Sequence, residues 1–296
     1  MSSPTASDRG ATGPQTLSQA VLWSATLPHG TNLDERVRAA VAGGFDVLTV
    51  NYRDHLWLAE QGRTPESARA WAAGLGVELA VYDSIANWYE YDQPKRVIDG
   101  TMASRDEVLD VCEAFGVRTL VAVPAYPTPC TTADLARAFG ELCDAAAAKA
   151  VTITLEFTPF PPVADLATGW EIVRQAARPN GTLLIDTWHF YRGTPDLDLL
   201  ASIPGDRIGA VQISDGDTEL TMSLIKATMT DRRLPGRGEF DLVSVLRTLR
   251  DIGGLHLVGP EVLENALFEL PVDDASRLAR SCYDAVIEKA FAAPAA

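Results

Sequence analysis

The sequence predicts one closed (β/α)8 barrel, a TIM barrel of the α/β class. Short apolar runs rich in β-branched residues alternate with longer stretches whose apolar residues recur at helical spacing, which is typical of repeated βα units. Eight such pairs follow one another, and no linker rich in proline or serine interrupts them. We therefore expect a single barrel domain over residues 17–296, preceded by a flexible tail over residues 1–16.

Each predicted strand is a short apolar run, such as FDVLTVN or VTITLEF, and is followed by a predicted helix. The strands end near Ser24, Asn51, Asp83, Pro124, Phe157, Thr187, Ser214 and Val262. Several helices begin at Asn, Thr or Asp and end near glycine, as capping chemistry prefers. The helices span Asn32–Ala42, Thr64–Leu75, Arg105–Phe115, Thr132–Lys149, Asp165–Ala177, Leu197–Ile203, Asp241–Ile252 and Asp273–Phe291. An open doubly wound sheet is the alternative, but the first strand lacks a GxGxxG turn.

Composition and charge exclude several classes of protein. The apolar fraction of 47% suits a globular chain with a sizeable core. With 25 basic and 40 acidic side chains, the net charge of −15 would repel nucleic-acid phosphates and anionic lipids. The N-terminus lacks the apolar core of a signal peptide, and no run of 18 apolar residues predicts a membrane span. The charge and the missing apolar run lead us to expect a protein that binds neither nucleic acid nor membrane. The four cysteines form no CxxC pair, so we expect a cytoplasmic location.

Polar side chains occupy the carboxyl ends of the last four predicted strands, the end at which TIM barrels carry their active sites. These residues are Glu156, Asp186, Gln212 and Glu261. Three carboxylates and a carboxamide at one barrel mouth would be costly unless they were paired or bound to a metal ion. Because all four donors are oxygens, we expect Mn²⁺ or Mg²⁺; Zn²⁺ usually recruits Cys or several His, and the chain has only four His.

Each of these residues also has a purely structural interpretation. Asp186 could cap the turn that follows its strand, Gln212 could bridge loops, and Glu261 could pair with a nearby arginine. What favours a common site over these alternatives is that the polar residues fall on four consecutive strand ends.

The runs LEFTPF, LLIDTWHF, VQISDG, RLPGRGEFDL and GPEVL resemble those of the sugar phosphate isomerase/epimerase superfamily. These xylose-isomerase-like barrels include ketose 3-epimerases, hydroxypyruvate isomerase and inosose dehydratase. The resemblance covers residues 17–291, although its motifs lie mainly in the second half. It implies that a divalent metal is bound by Glu156, Asp186, Gln212 and Glu261. Gln212 stands where ketose epimerases carry His, and is closer to the hydroxypyruvate isomerase pattern.

The resemblance also implies substrate contacts. The family's D-x-x-H motif aligns with residues 186–189, which implies that His189 touches substrate oxygens. The family's arginine three residues before Pro-Gly aligns with Arg232, which implies a second contact. We add Trp188 to the predicted substrate-binding residues, because aromatic side chains suit a sugar ring or a larger apolar substrate.

Further aromatic and basic residues fall in the predicted loops at the mouth. Some of the aromatic residues must be ordinary packing. They are Trp23, Tyr52, Trp57, Trp88, Tyr89, Tyr91, Tyr126, Phe160, Phe190 and Tyr191. Arg232, Arg233 and Arg237 could hold a phosphate or carboxylate, or could equally neutralise the nearby Asp231 and Glu239.

These observations lead to one principal hypothesis and two alternatives. The first is a divalent-metal-dependent isomerase or epimerase of a sugar or related hydroxy-carbonyl metabolite, with Glu156 and Glu261 moving protons through a metal-stabilised ene-diolate. The second is a metal-dependent dehydratase of a cyclic polyol ketone, which shares the first proton abstraction. The third is a barrel that binds a carbohydrate-like ligand without turnover. We expect a small-molecule substrate and a possible homo-oligomer.

Overall fold

The computed structural model describes residues 19–86, 88–89, 103–124 and 130–292, whose eight parallel strands close into a barrel. Each strand pairs with its neighbours in sequence, and the pairing of the first strand with the eighth closes the ring. The predicted TIM barrel is therefore confirmed, and the open sheet is excluded. The strands are β1 (Gln19–Leu22), β2 (Val47–Val50), β3 (Glu78–Ile85), β4 (Thr119–Ala122), β5 (Thr152–Glu156), β6 (Gly181–Asp186), β7 (Ile208–Ile213) and β8 (Leu257–Pro260).

Helices follow every strand, and all eight predicted helices are present. Four short helices were not predicted: α2, α7, α9 and α11. Each lies between the carboxyl end of a strand and the helix that packs on the barrel wall, so all four are at the mouth. The helices are α1 (Leu33–Gly43), α2 (Tyr52–Glu60), α3 (Pro65–Gly74), α4 (Arg105–Phe115), α5 (Thr132–Ala147), α6 (Leu166–Ala176), α7 (Thr187–Arg192), α8 (Leu197–Ser202), α9 (Leu224–Thr230), α10 (Leu242–Ile252), α11 (Asn265–Phe268) and α12 (Val272–Phe291).

Capping residues fix where the barrel helices begin and end. Asn32 caps α1 in a reciprocal capping box with Glu35, and Ser104 does the same for α4 with Glu107. Gly116 ends α4 in the left-handed conformation that favours glycine. Among the helices of the described ranges, none combines the length and the apolar character that crossing a bilayer requires.

Apolar side chains cover both faces of the barrel wall. The larger layer packs the outer face of the strands against the helices. The smaller cluster alternates with it along the strands, as inward-facing residues do, and fills the barrel interior. Its members are Val21, Trp23, Val47, Ala80, Val81, Ala86, Val121, Val123, Leu184 and Ala210.

Strand alternation then dictates which residues top the interior. Asp186 and Gln212 lie two positions beyond the interior residues Leu184 and Ala210, and the two pair in register. Glu156 is the last residue of β5, in register with Leu184. Because side chains alternate along a strand, Asp186 and Gln212 point to the inside of the barrel as Leu184 and Ala210 do. They lie above the apolar interior, at the open end of the barrel.

Among the described glycines, Gly259 of β8 leaves the least room for a side chain, because it lies against β1. A Cβ atom built on Gly259 would lie 1.7 Å from the carbonyl oxygen of Val21, so no side chain fits without movement of the backbone. This close approach fixes the course of the chain two residues before Glu261. The barrel ring and one wall of the site therefore depend on the same glycine.

We expect Gly259→Ala to lower the free energy of unfolding by about 3 kcal/mol or more, because overpacking here displaces backbone as well as side chains. Gly74→Ala is the matched control, since a Cβ at the end of α3 would meet nothing within 4 Å; its effect should stay within about 1 kcal/mol. Urea denaturation followed by circular dichroism measures both. Equal stability of the two variants would contradict this account of the wall.

Candidate active site

Three of the predicted site residues form a compact cluster at the mouth. One ligand atom from each of Glu156, Asp186 and His189 lies within 4.8 Å of the other two. His189 Nε2 is 3.3 Å from Glu156 Oε1 and 3.3 Å from Asp186 Oδ2. All three side chains are buried, with Asp186 completely enclosed. The i, i+3 spacing on α7 is what turns His189 back over Asp186.

Gln212 and Glu261 extend this cluster toward β8. Gln212 Nε2 donates a hydrogen bond to Glu261 Oε1 at 2.9 Å. Arg232 Nη1 donates to Glu261 Oε2 at 2.8 Å and to Asp186 Oδ2 at 2.9 Å. Arg232 therefore joins the two halves of the site, and six of the seven predicted site residues form one continuous network.

Two of the three structural interpretations are also observed. Asp186 Oδ1 accepts a hydrogen bond from the backbone N–H of Trp188 and so caps α7. Glu261 pairs with an arginine, Arg232, whereas the observed hydrogen bond of Gln212 is to the Glu261 side chain and bridges no loops. The cap, the hydrogen bond and the ion pair fix the positions of these side chains, and each is compatible with a common site.

Burial controls the electrostatics of the network. Desolvation raises the pKa of Glu261 well above its usual range; Arg232 opposes this shift, while the carboxylates of Asp83, Asp186 and Glu156 reinforce it. Burial acts to lower the pKa of Arg232, but its acidic neighbours outweigh burial and raise this pKa. Arg232 therefore stays a cation and supplies positive charge among the buried carboxylates.

Asp83 is not among the site residues predicted from the sequence. Burial and the charge of Glu156 raise the pKa of Asp83 to about 7, and it also interacts electrostatically with Arg232 and Asp186. These interactions place it at the same mouth, on β3. The signal was available, because Asp83 ends a predicted strand just as the other acidic residues do. The structure extends β3 two residues further, to Ile85, across a register irregularity.

The donor set fits a divalent cation. Gln212 Oε1 is buried and accepts no hydrogen bond among the described residues, so it has an unsatisfied lone pair at the site. Three carboxylates lie in the same network, and oxygen donors of this kind suit hard cations. His189 offers a nitrogen in the tightest cluster, although the resemblance assigned it to substrate. Which of these atoms bind a metal stays a prediction.

Trp188 ties the site to the loop after β7. Its indole Nε1 donates to Thr228 Oγ1 at 3.0 Å, and the carbonyl oxygen of Thr228 accepts from Arg232 Nε at 3.1 Å. The guanidinium carbon of Arg232 lies 5.9 Å from the centre of the Trp188 ring. Trp188 has no exposed surface, so its contacts favour a role in positioning Arg232. Its direct contact with substrate stays a prediction.

The other arginines of this loop are not equivalent to Arg232. Arg233 is half-buried and pairs with Asp217 at 3.0 Å, with Glu264 at 3.6 Å and with Asp231 at 3.9 Å, so part of the predicted neutralisation is observed. Arg237 is exposed. Binding of a phosphate or carboxylate by these residues stays a prediction.

The aromatic residues predicted at the mouth divide into two groups. Trp23, Trp88 and Phe190 are buried and serve as packing. Tyr52, Trp57, Tyr89 and Tyr191 are partly buried against the core, and Phe160 is also partly buried. Tyr91 and Tyr126 lie outside the described residues, as does the predicted N-terminal tail. Stacking of a substrate on any of these rings stays a prediction.

Two threonine hydroxyls lock the strand ends that carry the site. Thr26 Oγ1 donates to the carbonyl oxygen of Pro260 at 2.8 Å and accepts from Val262 N at 3.1 Å, so it grips both sides of Glu261. Thr187 Oγ1 donates to the carbonyl oxygen of Ser214 at 2.6 Å and accepts from Ser214 N at 2.9 Å, which ties the end of β6 to the end of β7. Backbone groups at strand ends lack ladder partners, and these hydroxyls satisfy them.

A parallel eight-stranded barrel with acidic, amide and basic groups at its carboxyl end has the architecture of a TIM-barrel enzyme. The chain belongs to the xylose isomerase-like TIM barrel family, whose sequence profile matches residues 37–279. The family that the sequence motifs resemble is thus confirmed.

Relatives in this family are named as enzymes. An inosose isomerase of Bacillus velezensis is 27% identical over 191 residues, which are 62% of this chain and 67% of that protein. A 3-dehydroshikimate dehydratase of Pseudomonas aeruginosa is 27% identical over 236 residues, which are 75% of this chain. The match covers only 34% of the dehydratase, so this chain spans about a third of that relative.

Solved structures show the same fold. The IolI protein, crystallised with a bound zinc atom, superposes with a TM-score of 0.79 at 22% identity and covers 93% of this chain and 100% of its own. An L-ribulose 3-epimerase superposes with a TM-score of 0.65 at 17% identity, over 92% of this chain and 94% of its own. At these identities the likeness concerns the fold alone.

We expect Arg232→Gln to cost about 3–5 kcal/mol of unfolding free energy in the presence of a chelator, because it leaves buried carboxylates without their counterion. The neighbouring Arg233→Gln is the matched control; its ion pairs are partly exposed, and their loss should cost about 1 kcal/mol or less. Guanidinium denaturation of both variants in EDTA makes the comparison. A loss for Arg232→Gln no larger than that for Arg233→Gln would show that Arg232 does not balance the buried charge.

Proposed function

We propose that this protein is a divalent-metal-dependent isomerase or epimerase that acts on a sugar or related hydroxy-carbonyl metabolite. The observation that carries the proposal is the convergence of Asp186 and Glu261 on one atom, Arg232 Nη1, with Glu156 joined to Asp186 through His189. Proton transfer next to a carbonyl group needs a base and an acid within reach of the same carbon atom. Glu156 and Glu261, on β5 and just after β8, are our candidates for these two roles.

The remaining residues would bind and orient the substrate. Arg232 is a permanent cation, and the His189 ring can hydrogen-bond to substrate oxygens. His189 lies next to Glu156, and Arg232 lies next to Glu261, the two carboxylates that would move the proton. Glu156, Asp186, Gln212 and Glu261 would hold the metal. When bound, a divalent cation polarises a substrate carbonyl and stabilises the negative charge that develops after proton removal. Burial of the site excludes bulk water, which strengthens each of these interactions.

A dehydratase is the second candidate, and the similarity to 3-dehydroshikimate dehydratases favours it. Both reactions begin with removal of a proton next to a carbonyl group, so the same base serves either. Elimination also needs an acid to protonate the departing hydroxyl group. Asp83, across the mouth on β3, is an additional carboxyl group that could take this role.

We expect the wild-type protein with Mn²⁺ or Mg²⁺ to exchange a substrate C–H with solvent deuterium, and Glu156→Gln and Glu261→Gln to lose this exchange by about 100-fold or more. A panel of inososes, small ketoses and hydroxypyruvate-like acids in D₂O, followed by NMR and mass spectrometry, provides the measurement. Glu264→Gln is the matched control, because this half-buried residue pairs with Arg233 outside the network.

Each outcome of this experiment has a distinct meaning. A product that has lost one water identifies the dehydratase, whereas a product that loses no atoms other than the exchanged hydrogen and gains only the mass of the incorporated deuterium supports the isomerase. Retained exchange in both glutamine variants would refute the assigned bases. Binding of panel compounds without exchange or product would point to the non-catalytic ligand-binding alternative.

The carboxamide of Gln212 is the basis of a prediction on metal identity. Replacing Gln212 with His substitutes an imidazole nitrogen for an amide oxygen, and imidazole suits Zn²⁺ better than Mg²⁺ or Mn²⁺. We expect the ratio of bound Zn²⁺ to Mn²⁺ to rise in Gln212→His after reconstitution in an equimolar mixture, as measured by mass spectrometry of the metals. The control is Gln175→His, which makes the same change at an exposed position of α6. An equal ratio in both variants would place Gln212 outside the metal's coordination.

A further inference from the structure

The segment that carries Arg232 is folded around one buried carboxylate, that of Asp215. We propose that Asp215 is a positioning residue: it fixes residues 232–240 so that Arg232 faces the site. The inference rests on the proposed function in that Arg232 is taken to bind substrate. Asp215 lies two residues beyond the end of β7 and three residues after Gln212, and it has no part in the reaction assigned above.

Three backbone N–H groups converge on the Asp215 carboxylate. Oδ1 accepts from Gly216 N at 2.8 Å and from Phe240 N at 3.0 Å, and Oδ2 accepts from Gly236 N at 3.0 Å. The residue is almost completely buried, and within the described ranges it forms no ion pair. A buried carboxylate requires such donors, and two of them, at Gly236 and Phe240, come from the segment itself. The carboxylate therefore holds the middle and the far end of the segment.

The backbone of Asp215 holds the segment a second time, next to Arg232. Asp215 N donates to Arg233 O and Arg233 N donates to Asp215 O, both at 2.8 Å. Arg232 N donates to Leu263 O at 3.2 Å, so the chain is fixed on both sides of this one residue. A movement of residues 232–240 would therefore also move the Arg232 backbone, from which the side chain extends to the site.

Close packing leaves the segment no room to adjust. A Cβ on Gly238 would lie 2.5 Å from Asp215 Oδ1, and one on Gly216 would lie 2.8 Å from the rings of Phe240 and Trp188. Gly236 has φ of +78°, which a side chain would disfavour. Gly236 and Gly238 thus let the chain approach the Asp215 carboxylate closely. This packing accounts for the two glycines without any bound phosphate.

An amide cannot reproduce these contacts. Asp215→Asn keeps one acceptor oxygen and turns an NH₂ group toward a backbone donor, so at least one of the three hydrogen bonds is lost. A displacement of about 1 Å in a substrate-positioning group can cost up to about 100-fold in rate. We expect kcat/KM to fall by about tenfold or more, with the rise in KM exceeding the fall in kcat.

Asp217→Asn is the matched control for the activity measurement. It makes the same change two residues away, at a half-exposed carboxylate that pairs with Arg233. We expect its kcat/KM to stay within about twofold of wild type, since exposed ion pairs contribute little. Gly238→Ala is a second variant that disturbs the same contact from the other side, and it should reproduce the rise in KM if Asp215→Asn folds poorly.

A measurement on Arg232 itself separates this inference from the proposed function. Arg232 Nε–H donates to the buried carbonyl oxygen of Thr228, so its NMR signal should exchange slowly with solvent. The resonance that disappears from the spectrum of Arg232→Lys is assigned to Arg232 Nε–H. We expect Asp215→Asn or Gly238→Ala to accelerate this exchange at least tenfold, and Asp217→Asn to leave it unchanged.

The outcomes are then distinguishable. Faster Nε–H exchange in Asp215→Asn, in a protein that shows no substrate C–H exchange, would reject the proposed function but uphold the positioning role. An unchanged Nε–H signal together with an unchanged KM, in Asp215→Asn or Gly238→Ala, would overturn the positioning role while leaving the proposed function intact.

Discussion

Closing eight parallel strands into a ring forces the side chains at their carboxyl ends toward one axis, and in this chain several of those side chains are acidic. Glu156, Asp186 and Glu261 are buried within a single network. Like charges at this depth repel strongly, so the fold tolerates them only with positive charge nearby. Arg232 supplies that charge from the loop after β7, and it links Asp186 to Glu261 directly. Its placement is therefore a requirement of stability as well as of any chemistry at the mouth.

The mouth combines a rigid rim with inserted short helices. Threonine hydroxyls fix the ends of β6, β7 and β8 by bonding to backbone groups that have no ladder partner. The short helices α7 and α9 follow β6 and β7 and carry groups that contact or support Arg232. The strands of the wall determine the positions of the carboxylates. The loops and short helices that follow the strands determine how Arg232 and His189 contact those carboxylates.

The sequence predicted the wall well because its signals are local. Apolar runs, capping residues and glycines marked the strands and the barrel helices, and the positions at strand ends were enough to place Glu156, Asp186 and Gln212 at one end. The loop helices were missed because they are short and depend on tertiary contacts, as α9 does through the bond of Thr228 to Trp188. The bridge from Arg232 to Asp186 and Glu261 arises from contacts across the barrel that no local pattern encodes. Asp83, by contrast, ends a predicted strand and could have been recognised by the same signal as the other acidic residues.

Thr26 bonds to the backbone on either side of Glu261, although 234 residues of chain separate Thr26 from Pro260. The polar set at the mouth is consequently complete only once β8 has docked beside β1. A chain in which β8 has not yet docked lacks Glu261 at the mouth, so among the described residues Arg232 has only Asp186 as its acidic partner there and the network is incomplete.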